Sequence, residues 1–193
     1  MNHLMIDLLT ISTPNLNAPL LAIEAVFFEP STGHLGASFY TTVDIRKNPE
    51  MDGDISIRIA FDWMKKDADW RAEVLSAEQD ETEALLALDA FVANNTKRLS
   101  APLVIYLKDA SLKFDDLRHA FAFVFEDLES PLSGIEHISP RCITSLLDIA
   151  YSIGYLPHPR NDRARYTLTD ARYQAEQVCE IWQRLTSPHL ETL

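Results

Sequence analysis

An acidic residue interrupts each of two apolar runs in this sequence. Asp7 is the one interior charge of His3 to Leu9 (HLMIDLL), and Glu24 divides Leu20 to Phe28 (LLAIEAVFF). A Glu inside such a run is costly to bury unless paired, so it must reach solvent, a cation or a metal ion. Towards the other end Arg160, Arg163, Arg165 and Arg172 form the strongest basic cluster, beside Asn161 and Asp162. Guanidinium groups at that density can contact a phosphate, but four arginines beside a loop are more often solvated or paired. Other chemistries lack their patterns. The histidines (His3, His34, His119, His137, His158 and His189) show no HxxxH or HExxH pairing, which argues against a zinc site. No GxSxG elbow surrounds any serine. Five glycines in the whole chain leave no Gly-rich phosphate loop. Cys142 and Cys179 lie far apart and match no metal-ligand spacing, so they read as two reduced thiols. Phe61, Trp63 and Trp70 are spaced for core or interface packing rather than for stacking on bases.

The chain that must position these groups has 193 residues, 47% of them apolar and 24% charged. That length and balance describe one globular domain over 1–193 with a core large enough to need no metal or disulfide staple. Lys and Arg total 17 against 29 Asp and Glu, a formal charge of −12. Such a balance disfavours a protein that coats nucleic acid by neutralising phosphates, and a membrane surface as well. It leaves room for a protein that grips only a strand end. The first basic residue is Arg46 and no long apolar stretch follows a basic start, so no secretory signal is expected. No apolar run approaches a membrane span, and the cytoplasm is the expected compartment.

The opening reads as three strands: His3–Leu9, Leu20–Phe28 and Ser38–Ile45, the last rich in aromatic and β-branched residues. A loop is expected over Glu29–Gly36 and another over Arg46–Ser56, from their Pro and Gly content. Helical signals then run to Asn95. Asp80 with Glu83 three residues on has the spacing of a capping box, and Leu85, Leu88 and Val92 share one helical face. Pro102–Leu107 reads as a short buried strand, and Leu112–Phe125 as a helix with Leu117, Phe121 and Val124 on one stripe. After a loop containing Pro131 and Gly134, a helix is expected over Ile143–Ile153, stopped by Gly154. The last helix, Leu168–Leu185, sets Leu168, Ala171, Ala175, Val178 and Trp182 on its inner face. No repeat or internal boundary interrupts this order, which implies one mixed α/β domain.

Three segments together resemble the DEDD-type 3′–5′ exonucleases, whose fold is RNase H-like. The hairpin HLMIDLLT with NAPLLAIEAVFFEPSTGHLG looks like the family's first two strands. VIYLKDASLKFDDLRHAF is similar to its strand-then-helix block, and RYTLTDARYQAEQVCEIWQRL to its final helix, the most specific part of the match. WMKKDADWRAEVL and PRCITSLLDIAYSIG fall where the family has helices, so the likeness covers nearly the whole chain. It is nearest to small exonuclease VIII-type proteins of phages and prophages. The resemblance implies a mixed sheet, with an antiparallel three-strand start followed by parallel strands, flanked by helices. It also implies a chemistry in which four acids hold two divalent cations, Mg²⁺ or Mn²⁺, and a His serves as general base.

Carried over position by position, that set is largely broken. The first acid is present as Asp7, but its partner two residues on is Leu9. The acid of the second block falls on Lys113, with Asp115 and Asp116 nearby. The general-base position is Arg165, and the fourth acid is present as Asp170. Two carboxylates facing Lys113 and Arg165 can balance without any metal, with Lys113 taking roughly the space of a lost cation and pairing with Asp7 or Asp170; the plainer alternative leaves Lys113 in solvent. Glu24 and Asp109 stand where the family usually has Gly. Each is a candidate substitute metal ligand. A salt bridge with Lys113 or Arg165, or an exposed or otherwise satisfied position, is open to Glu24 too.

The expected function is therefore that of a degenerate, catalytically inactive relative of phage or prophage type, kept as a binding or regulatory protein. It needs no cofactor, and its acidic surface favours a protein partner. The alternative is an active metal-dependent 3′–5′ exonuclease on single-stranded DNA or RNA, with a site rebuilt from Asp7, Asp170 and Glu24 or Asp109. End binding without cleavage is a third outcome, with Arg163 and Arg165 as the phosphate contacts. A homodimer is the default assembly on general grounds.

Overall fold

The computed structural model describes residues 1–10, 20–47, 64–65, 68–96, 102–108, 110, 115, 117, 121, 140–159 and 169–187. Strands β1 (His3–Thr10), β2 (Leu20–Glu29), β3 (His34–Thr42), β4 (Val104–Leu107) and β5 (Arg141–Cys142) form one sheet in the order β3-β2-β1-β4-β5. The first three strands pair antiparallel, and β4 and β5 join in parallel. This is the mixed sheet that the resemblance implies, and helices flank it: α1 (Ala68–Leu75), α2 (Glu81–Thr96), α3 (Ile143–Ser152) and α4 (Thr169–Thr186).

Strand alternation divides the core in two. Leu4, Ile6 and Leu8 of β1, with Ile23, Ala25 and Phe27 of β2, point to the face covered by α2 through Ala84, Leu85, Leu88 and Val92. Leu117 and Phe121, both helical, are buried in the same cluster. Met5, Val26 and Phe28 point to the opposite face, where Ile143 of α3 and Ala171, Ala175 and Val178 of α4 cover them. Small residues on α4 allow its backbone to lie close to the sheet. Asp7 and Glu24, two positions along from Met5 and Val26, belong to this α4 face.

The local stops act as their residue types predict. Asp80 and Glu83 cap α2 reciprocally: the Glu83 N–H donates to Asp80 Oδ1 at 2.8 Å and the Asp80 N–H to Glu83 Oε2 at 2.9 Å. Gly154, at φ +79°, ends α3 in the left-handed region. Three details differ from expectation. The loop after β2 is shorter, because the Gly33 N–H closes a tight turn on the Glu29 carbonyl at 2.9 Å and β3 starts at His34. Positive φ at Gly33 makes that tightness feasible. At its far end β3 stops at Thr42, and Ile45–Lys47 form a 3₁₀ turn in place of strand and loop. Trp182, expected on the inner face of α4, is 37% exposed and turns its ring edge to His3, while Ile181 is buried instead.

Candidate functional site

The site is built where β1, β2 and β3 run side by side beneath the start of α4. Asp7 pairs directly with Glu24, and Glu24 pairs with Tyr40 on the far side. Directly paired residues project from the same face of a sheet, so strand register alone brings the two carboxylates and the phenol into one row. All three are partly buried. Burial, reinforced by the negative charges of Glu73 on α1 and of Glu24, pushes the Tyr40 phenol well above its ordinary pKa and keeps it neutral.

The end of α4 completes the row. Asp170 sits in its first turn, where a negative side chain is favoured by the helix dipole. One of its carboxylate oxygens, Oδ1, is shielded from solvent. The next residue, Ala171, is fully buried, and its N–H donates to Glu24 Oε2 at 3.0 Å across 147 residues of sequence. Glu24 thus satisfies a helix-end amide that has no partner within the helix. Of the roles open to Glu24, this is an internally satisfied one.

Leu9 continues the same face of β1. Its side chain packs with Ile45 against a cluster of Leu21, Trp70 and Val74, which joins α1 to the sheet. An apolar chain in an apolar cluster offers no oxygen to a cation. Among the described residues, no three His, Cys, Asp or Glu side chains are grouped so as to hold a metal ion. At Leu9 the strand face lacks the carboxylate that the four-acid set asks of it. Lys113, Asp109, Arg163 and Arg165, with Arg160, lie outside the described residues. Asp115 is helical and partly buried, and Arg172 is exposed on α4.

A second polar group, not anticipated from the sequence, closes the far side of α4. His158 sets Nδ1 2.7 Å from Glu180 Oε1 and Nε2 3.3 Å from Glu176 Oε2. The Tyr155 hydroxyl donates to Glu180 Oε2 at 2.7 Å, and the Tyr173 hydroxyl to the His158 carbonyl at 3.0 Å. The one sequence signal for this group was the i, i+4 spacing of Glu176 and Glu180. Tyr40, likewise missed, carried no local signal, because its proximity to Glu24 follows from strand register.

A family model described as the Rv2179c-like 3′–5′ exoribonuclease domain matches residues 2–182. The chain belongs to that family. Solved structures place the family's fold here among the exonucleases. The nuclease domain of 3′hExo, a DEDDh family member bound to rAMP, superposes with a TM-score of 0.59 at 14% identity, over 94% of this chain and 92% of that one. E. coli exonuclease I in complex with a 5cy-dT13 oligonucleotide gives 0.61 at 13% identity, over 95% of this chain and 40% of its own. Exonuclease I from Methylocaldum szegediense gives 0.62 at 10% identity, over 97% and 41%. This chain thus spans about two fifths of the exonuclease I proteins it matches. No curated protein sequence matches it. Family and fold together make it a member of the DEDD exonuclease superfamily with an RNase H-like domain. No helix among the described residues is long and apolar enough to cross a membrane.

Proposed function

We propose that this member of the superfamily does not cleave, and acts as a binding or regulatory protein of phage or prophage type in the cytoplasm. The observation that carries this reading is Leu9. The position that the exonuclease resemblance assigns to the second acid holds an alkyl chain packed against a cluster of Leu21, Trp70 and Val74. A carboxylate two residues from Asp7 is what two-cation hydrolysis asks of that strand face, and an alkyl side chain cannot coordinate Mg²⁺ or Mn²⁺. Arg165 at the general-base position is consistent with the same loss, since guanidinium stays protonated and accepts no proton from water. On this reading the protein uses no cofactor. Its net charge of −12 favours a protein partner over a long nucleic-acid footprint, and Arg163 and Arg165 remain the groups for a strand end. A homodimer is the assembly to test first.

A second reading rests on the family itself, which is described as a 3′–5′ exoribonuclease domain. Under it, Asp7, Asp170 and Glu24 or Asp109 would hold Mg²⁺ or Mn²⁺, and an RNA 3′ end would be the first substrate to try, with single-stranded DNA beside it. The deciding experiment is cleavage of end-labelled single-stranded RNA and DNA with Mg²⁺ and with Mn²⁺, run beside an Asp7→Asn, Asp170→Asn double variant. No cleavage above the double variant is the expected result. Cleavage by the natural chain alone would overturn the non-cleaving reading.

A further inference from the structure

We propose that Glu24 seats α4 on the sheet through the Ala171 N–H, and that this contact within the protein, not a divalent cation, holds Asp170 at its place over the strands. The first N–H groups of α4 lack partners within the helix and carry a partial positive charge, so an anion placed there satisfies a donor and a dipole together. Glu24 Oε2 meets one of those donors, at 3.0 Å, from the middle of β2. Ala171, the residue that donates, is fully buried against Met5 and Val26, so the amide has no access to water as an alternative acceptor. Asp170 immediately precedes it in the chain, so fixing the Ala171 amide fixes the backbone from which the Asp170 side chain springs.

A cation placed between Glu24 and this helix end would face the positive pole of α4 and compete with the N–H for the same oxygen. Leu9 supplies no oxygen ligand on that strand face. Two groups that require compensation, a strand carboxylate in an apolar run and a buried helix-end amide, instead compensate each other. Glu24 is thus a positioning residue for Asp170. The inference stands on the contact between β2 and α4, and does not depend on whether the protein cleaves.

The test is amide hydrogen exchange at Ala171 in the full-length chain, with EDTA, with Mg²⁺ and with Mn²⁺, together with thermal melts under the same conditions. In the natural protein, the Ala171 exchange rate and Tm should be the same in all three. Glu24→Ala should speed that exchange about tenfold or more, the size of a lost hydrogen bond to a charged acceptor. Glu24→Gln keeps the side-chain volume and an acceptor oxygen, so it should fold and show a smaller increase, because a neutral acceptor bonds more weakly. Slower Ala171 exchange on adding Mn²⁺ to the natural protein, or unchanged exchange in both Glu24 variants, would overturn the proposal. Cleavage activity combined with cation-independent exchange would overturn the non-cleaving reading and leave this one standing.

Discussion

Leu9→Glu puts back the acid that the exonuclease resemblance places two residues after Asp7, and the structure predicts that it destabilises the protein. The leucine is partly buried against Leu21, Trp70 and Val74. Full burial of a leucine is worth roughly 1.5–3 kcal/mol, so losing a partial share costs about 1 kcal/mol. The introduced carboxylate would share a strand face with Asp7, at about 7 Å by strand geometry, and lie near Glu24 on the neighbouring strand. With an effective dielectric of about 20, one such repulsion adds roughly 2 kcal/mol. The total, about 3 kcal/mol, corresponds to a Tm lower by roughly 6–12 °C for a chain of this size. Leu9→Gln isolates the packing part and should lose only about 2–4 °C. The difference between the two variants must depend on pH in one direction. Like charges and burial raise the introduced carboxyl's folded pKa above its unfolded value, so the Glu variant matches the Gln variant below pH of about 4 and falls behind as pH rises. Scanning calorimetry of both variants across that range, in EDTA, checks it. A Glu variant that melts as high as the Gln variant at neutral pH would refute the view that a further carboxylate on this strand face is repelled by Asp7.

Two further outcomes follow from the local chemistry. Asp80→Ala should remove half of the α2 capping box and cost about 1 kcal/mol, read as a fall in urea midpoint without a change in slope. Thiol labelling should separate the cysteines. Burial, helped by the nearby Glu29 carboxylate, pushes the Cys179 thiol up to about 11, whereas at Cys142 burial is outweighed by the polar groups of Ser145, Ala110 and Thr144 and the pKa falls. Mass spectrometry after brief alkylation at neutral pH should therefore find Cys142 modified first, with Cys179 protected until the protein unfolds.

Much of this protein is legible without coordinates, for reasons that operate over a few residues. The apolar run LLAIEAVFF already marks a strand buried on both faces, and the three-to-four spacing of Leu85, Leu88 and Val92 an inward helix face, because a side chain's direction depends only on its own backbone period. Asp80 and Glu83 mark the start of α2, and Gly154 the end of α3, because caps are made by neighbours in sequence. The loss of the second acid is equally plain, since Leu9 is simply not a carboxylate. Only the tertiary structure decided what those inward faces meet. Strand register set Asp7 beside Glu24 and Glu24 beside Tyr40, and a shift of one residue would have turned Glu24 to the α2 side instead. β5, two residues long, exists because β4 offers it an edge, and no local pattern announces a strand so short. Trp182 reached the rim and Ile181 the core because α4 is rotated on the sheet by its contacts with β1 and β2. The partner of Glu24 was out of reach of any local argument: a carboxylate in the second strand is satisfied by a backbone amide 147 residues away, and folding alone brings the two together.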